Sequence, residues 1–429
     1  MDKYDDIDDE KELEVLASKR RERQDGNVQN KKKIGTKLGL LLIVGILAVS
    51  ALYLNKEKIQ PFFAELLGGF NNANPQSRSI NNNSDGQVSA NRINIESSAK
   101  ATFVGYGKNF LYSTKDGTKL FDQNQNQIWT YTYTMSSPVV INSAMSTVVY
   151  ENQGRNIKVY NEKGEVYSLK TDGSIVQVEI NKNGCVAIMI KTDNGYKIQA
   201  YNQKGELLME RIDQDFGIYP VSLDLSEDGK VLAVSYFDTN DVELIGKVLF
   251  FYTSKTDAKS SDIGDFFASV SKNGTLISSI KCVDTDRFIA VGDNKIIAFD
   301  SSGQELWEIE IANKVDKVTF GHDRNVTVAY GDAFPEKDGF DKGTVVSYDQ
   351  NGKIVFEIQI NKPVTYLAGY NNGIVIGANR EFICTNYNGN VQWTHVATQD
   401  IKDIIPLNAL TQVLYITNSF AEITSIKDK

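Results

Sequence analysis

Two hydrophobic patterns divide the chain. Residues 38–54, LGLLLIVGILAVSALYL, hold no charge in seventeen positions. Ile34, Gly35 and Thr36 extend the run, with Lys37 snorkelling toward headgroups. At about 1.5 Å per residue, a helix over residues 34–54 matches the roughly 30 Å of a hydrocarbon core. From residue 93 onward the apolar residues come instead in short alternating or β-branched runs without helical periodicity. KIIAFD at 295–300 and ELWEIEI at 305–311 are examples. Such runs read as strands. The pattern predicts a transmembrane helix over 34–54, a juxtamembrane segment and linker over 55–92, and an all-β domain over 93–429. Within the linker, residues 71–92 are Asn- and Ser-rich and contain no aromatic residue, a composition that stays flexible.

The β domain repeats itself. An aromatic residue, three turn-forming residues and a glycine recur as Tyr160 to Gly164, Tyr201 to Gly205, Phe299 to Gly303 and Tyr348 to Gly352. Degenerate copies lie at Phe121 to Gln125 and Thr385 to Gly389, and a seventh near Tyr252. Successive anchors are 39, 41, 51, 47, 49 and 37 residues apart. Four strands of about five residues plus turns fill such a period, which is one propeller blade. The chain's three tryptophans, Trp129, Trp307 and Trp393, each fall eight residues after an anchor. Met209 and Phe356 take the same phase. A large side chain at one fixed point of the outer strand is expected to pack between blades, a structural role. Strand-like runs at 401–407, 412–417 and 421–426 make three strands of a further blade, with Arg92 to Glu96 as its fourth. The expectation is a β-propeller of four-stranded antiparallel blades, eight in number, with seven as the alternative.

The segments AFDSSGQELWEI at 298–309, LFDQNQNQIWTY at 120–131 and TNYNGNVQWTHV at 385–396 resemble the repeat of quinoprotein-type (PQQ-like) propellers. The resemblance covers about residues 93–429. The layout of basic tail, anchor, Asn-rich linker and propeller is similar to a family of membrane-anchored PQQ-like proteins of Gram-positive bacteria. The wider fold includes quinone-dependent dehydrogenases and a scaffold lipoprotein of outer-membrane assembly. The dehydrogenases require a calcium site, a catalytic Asp and usually adjacent cysteines. Here Cys185, Cys282 and Cys384 are far apart, and calcium ligands cannot be placed.

Charge sets the orientation. The twenty residues before the charge-free run 38–54 carry eight bases, among them Lys31, Lys32, Lys33 and Lys37, and the twenty after it carry two, Lys56 and Lys58. Positive charge stays cytoplasmic. Residues 1–33 are then a cytoplasmic tail, the helix an uncleaved signal anchor in the plasma membrane, and the propeller extracytoplasmic. The tail is solvated, or else a helix through it docks a cytoplasmic partner by Leu13, Val15 and Leu16. The domain over 93–429 has 32 bases and 42 acids, which argues against nucleic acid as a partner. An odd number of scattered cysteines argues against a disulfide framework. Only two histidines, His322 and His395, are present, neither with a spaced metal-binding partner.

No catalytic, cofactor-binding or metal-binding residues are assigned, and no cofactor is expected. Two connections are longer than their counterparts, 237–247 (FDTNDVELIGK) and 331–343 (GDAFPEKDGFDKG). Each joins the second and third strands of its blade, so both should emerge on one face. Phe237, Asp238, Asp241 and Glu243 in the first, and Phe334, Glu336, Asp338, Phe340 and Asp341 in the second, combine aromatic anchors with a polar rim, as protein interfaces do. The reading is a noncatalytic scaffold that binds an envelope protein. The alternatives are a channel binding a small ligand or glycan, and a degenerate quinoprotein enzyme. If the orientation holds, protease added to wall-stripped intact cells should degrade the propeller and spare the tail; protection of the propeller until the membrane is opened would reverse it.

Overall fold

The computed structural model describes residues 92–96, 101–143, 146–253, 266–311, 313–321, 325–331, 342–407 and 410–426. The span predicted at 34–54, with the tail and most of the linker, lies outside them; no helix among the described residues is long and apolar enough to cross a membrane. The described residues form eight four-stranded antiparallel sheets, the blades of a propeller. Blades 1 to 7 run Thr102–Thr132, Pro138–Lys170, Ser174–Asp213, Ile218–Asn273, Ile277–Glu310, Val315–Ile360 and Tyr366–Val396. Blade 8 takes three strands from Asp403–Ser425 and its outer strand, Arg92–Asn94, from the other end of the domain. First strands of neighbouring blades lie against one another, so they line the axis.

This closure is the one the repeat count predicts. Arg92, Ile93 and Asn94 pair with Glu422, Ala421 and Phe420. Arg92 adds an ion pair to Glu422 at 2.5 Å and lies 4.2 Å from the centre of the Phe420 ring. Ile93 and Ile95 pack into a cluster shared with Phe103, Phe110 and Leu414, which joins blade 8 to blade 1.

The apolar core is divided into eight clusters, one at each junction between consecutive blades. Strand alternation explains the division. In Val186–Thr192, Val186, Ile188 and Ile190 face blade 2, while Ala187 and Met189 face blade 4. Second strands are buried on both faces and so read as continuous apolar runs. Outer strands alternate, because one side of each meets water.

The repeated turn has a common mechanism. Asp300 Oδ1 accepts the backbone N–H groups of Ser302 and Gln304, both at 2.9 Å. Asp349 does the same for Asn351 and Lys353, Asn202 for Lys204 and Glu206, Asn386 for Asn388 and Asn390, and Asp122 for Asn124 and Asn126. The short side chain holds the turn closed. The glycine that follows has φ between 76° and 82° in four blades; in blade 1, Gln125 takes φ 64° itself. In all seven hairpins the register slips at the anchor, a β-bulge. The slip puts the blade 4 anchor at Phe251, one residue before the position read from the sequence.

Past each bulge, the residue opposite the one preceding the anchor is Trp129, Tyr167, Met209, Ala268, Trp307, Phe356 or Trp393. Where the turn of the next blade is described, this position meets it. The indole N–H of Trp129 donates to Glu162 O at 3.2 Å, and that of Trp307 to Gln350 O at 2.9 Å. Blade 8 has no such hairpin, and Trp393 donates to Leu410 O of its first turn at 2.8 Å. A Cβ on Gly352 would lie 3.0 Å from Trp307 Cδ2, and one on Gly389 would lie 2.5 Å from Phe356 Cβ. Trp393 is 1% exposed. Trp393→Ala should cost about 3–5 kcal/mol, and Trp393→Phe, which keeps a ring but loses the donor, distinctly less, read from urea unfolding of the full-length protein in detergent. Equal losses would place the energy in the hydrogen bond rather than the packing.

Candidate functional site

Two regions collect chemistry: the end of blade 4 where its second and third strands connect, and the axial channel. At the blade 4 end, Val231–Asp238 and Ile245–Tyr252 are joined by residues 239–244. Phe237 is half-buried and stacks on Tyr219, ring centres 5.0 Å apart. Asp238 is buried; it accepts from Lys247 Nζ at 2.6 Å and from the N–H of Asn240 at 2.9 Å. The Lys247 bond, and then the Asn240 N–H, hold its carboxyl below the usual range. These two residues are the footing of the loop. Its tip is Asp241, Val242 and Glu243, all exposed. Of the second predicted loop, Phe334, Glu336, Asp338, Phe340 and Asp341 lie outside the described residues; the strands that flank it, Val326–Gly331 and Gly343–Tyr348, are the second and third of blade 6.

Phe216 was not found from the sequence. It sits in the connection from blade 3 to blade 4 and is 90% exposed, while Val242 is 99% exposed. The two connections are tied together. The Asn240 side-chain amide donates to Phe216 O at 2.9 Å, and the Thr239 N–H donates to Gly217 O at 2.8 Å. Gly217 has φ 82°, and a Cβ there would collide with the Asn240 side chain. The only sequence signal was an aromatic residue between an acid and a glycine, Asp215-Phe-Gly217.

The axial cavity has a volume of about 510 Å³ and receives residues from all eight blades, at the ends of their first strands. Two of its lining residues, Lys281 and Asp224, belong to a charge cluster that spans three blades. Lys281 of blade 5 reaches Asp224 of blade 4 at 3.3 Å and Glu179 of blade 3 at 2.7 Å. Asp224 is buried; it also accepts the Cys282 N–H at 2.8 Å and the Leu225 N–H at 2.9 Å. Burial raises the Asp224 pKa to about 6 against the pull of Lys281, and Glu179 adds to the rise. Burial works against the charge on Lys281, but Asp224 and Glu179 outweigh it and hold its proton more tightly than usual. A third of the Lys281 side chain remains open to the channel. Nearby, Lys182 pairs with Glu227, and Asn181 bridges to Ser226 O at 2.7 Å. On the blade 7 and 8 side, Asp403 accepts from Tyr366, whose hydroxyl meets that of Tyr370 at 2.6 Å. Burial pushes the Cys282 thiol up to about 12, which leaves little thiolate for chemistry. Among the described residues no three His, Cys, Asp or Glu side chains converge as a metal-binding group.

Over residues 81–426 the sequence matches the family described as "Family of unknown function (DUF5711)". The chain belongs to this family. The fold is similar to that of Sqt1 from Chaetomium thermophilum, with 8% identity, TM-score 0.51, and coverage of 77% of this chain and 98% of that one. It is also similar to BamB from Moraxella catarrhalis, with 13% identity, TM-score 0.47, and coverage of 78% and 98%. A third structure is Hsv2 from Kluyveromyces lactis, with 11% identity, TM-score 0.43, and coverage of 70% and 99%. At these identities the likeness is one of fold alone. No curated protein sequence matches the chain.

The Asp224 carboxyl gives the channel a pH signature. Its folded pKa of about 6 lies above the unfolded carboxylate value near 3.9, so the folded state binds the proton more tightly. Its contribution to stability is full below about pH 4 and is lost as pH rises through about 6. Lys281→Met leaves Asp224 and Glu179 without their cation. It should cost about 3 kcal/mol at pH 7 and less at pH 5, where Asp224 takes up a proton. Urea midpoints at the two pH values check this, and an equal loss at both would disconnect Lys281 from Asp224.

Proposed function

We propose that the protein is a noncatalytic scaffold, anchored in the plasma membrane, whose extracytoplasmic propeller binds another protein of the cell envelope. The observation that carries this reading is the rigid display of Phe216 and Val242. Near-complete exposure of two apolar side chains is unfavourable in water. Here it is held in place by hydrogen bonds between two loops rather than relieved by collapse. Ordered, exposed apolar anchors with a polar rim are what protein interfaces use. The anchor is supported by the charge-free run at 38–54, and the orientation by the eight bases in the twenty residues before that run against two in the twenty after it. The noncatalytic part is supported by the scarcity of histidine and by the absence of nucleophile and phosphate-binding motifs in the sequence.

A second reading, a small ligand in the channel, is favoured by the axial cavity with Lys281 partly open to it. A photo-crosslinking residue placed at position 242 of the full-length protein in living cells separates the two. One discrete protein adduct, lost in Phe216→Ser, is expected. No adduct, with the propeller folded, would shift the function to the channel.

A further inference from the structure

The blade 4 end carries an uncompensated charge. Asp193, Asp215, Asp241 and Glu243 are exposed, and among the described residues none of them has an ion-pair partner. The bases of this end are committed elsewhere. Lys197 pairs with Asp172 at 2.5 Å, Arg211 with Asp213 at 2.6 Å, and Lys247 with Asp238 at 2.6 Å. Lys272 pairs with Glu305 at 2.7 Å and also with Glu308. Lys191, exposed and without an ion pair among the described residues, offsets one of the four acids. The loops that carry these acids also carry the two exposed apolar side chains. Asp215 precedes Phe216, and Asp241 and Glu243 flank Val242. The 193–194 turn belongs to the same edge, since a Cβ on Gly195 would lie 3.2 Å from Gln214 Cα.

We infer that the partner is a protein segment bearing Lys or Arg side chains around an apolar socket that receives Phe216 and Val242; this rests on the scaffold reading above. The physical reason is desolvation. A neutral or acidic protein surface seated on the two apolar side chains would strip water from flanking carboxylates without pairing them, which costs stability. An anionic lipid surface or wall polymer would be repelled at long range. A basic segment turns the same four acids into a complementary rim, one that raises the association rate and fixes register while the apolar pair supplies contact energy.

The test uses the full-length protein in its own membranes, with a photo-crosslinking residue at position 242 and sequencing of the crosslinked partner peptide. A basic peptide is expected, with adduct yield falling about tenfold or more in the triple variant Asp215→Lys, Asp241→Lys, Glu243→Lys and on raising salt from about 50 to about 500 mM. These are exposed loop positions, so the variant should keep the parent's thermal unfolding midpoint, which is measured alongside. A discrete adduct on a neutral or acidic peptide, unchanged by charge reversal, would overturn the basic partner and leave the scaffold standing. Absence of any protein adduct overturns both.

Discussion

A bulky side chain on the outer strand of one blade lies against the turn of the next, and most of the repeat can be understood from that contact. Trp307 covers Gly352 and Phe356 covers Gly389. At these two turns the residue must therefore lack a side chain for two reasons: its backbone is left-handed, and the space above it is taken. The Asp or Asn before it closes the hairpin from within. The bulge aims the bulky residue at the neighbour rather than at water. Where one part is missing, another adjusts. Ala268 stands at the bulky position of blade 4, opposite Phe250, and the Phe250 ring reaches the next turn glycine, Gly303.

Because each core cluster lies between two blades, no blade is a complete folding unit by itself. Closing the ring is therefore a requirement for the end blades, not an ornament. The outer strand of blade 8 has only three ladder pairs, yet Ile93 and Ile95 extend its hold into the cluster shared with blade 1. Toward the axis the cross-links change from apolar to polar. Ser222 Oγ accepts from the Ile280 N–H at 3.2 Å, Asp224 from the Cys282 N–H, and Lys281 ties blade 5 to blades 3 and 4. First strands meet water in the channel, so the junctions there are made by hydrogen bonds and charge rather than by side-chain packing.

A ring joined in this way is a rigid base for its connections, and the loops at the blade 4 end use it. Their hydrogen bonds run between loops, from Thr239 and Asn240 to Phe216 and Gly217, while Asp238 and Lys247 brace the strand ends below. An apolar pair displayed by such a frame loses little conformational freedom when a partner covers it, which is the condition for a strong contact from a small area. In the proposed complex, the acids around it would set which partners can approach.

Much of the architecture was legible in the sequence because it rests on local rules repeated many times. The spacing of the turns, the Asp or Asn and Gly within them, the phase of Trp129, Trp307 and Trp393, and the three strand-like runs left over at the C-terminal end were together enough for eight blades closed by Arg92–Asn94. Each depends on residues only a few positions apart or on a count. The one-residue error at Phe251 arose where a long connection hides the turn signal. The site was far less legible. Asp241 and Glu243 are where a loop-length argument put them, but Phe237 and Asp238 turned inward, since strand pairing and Lys247 claim them. Phe216 lies 26 residues from Val242 and Glu179 lies 102 from Lys281. What brings such residues together is the stacking of blades and the crossing of loops, contacts between segments with no shared sequence pattern, and only the tertiary structure decides those.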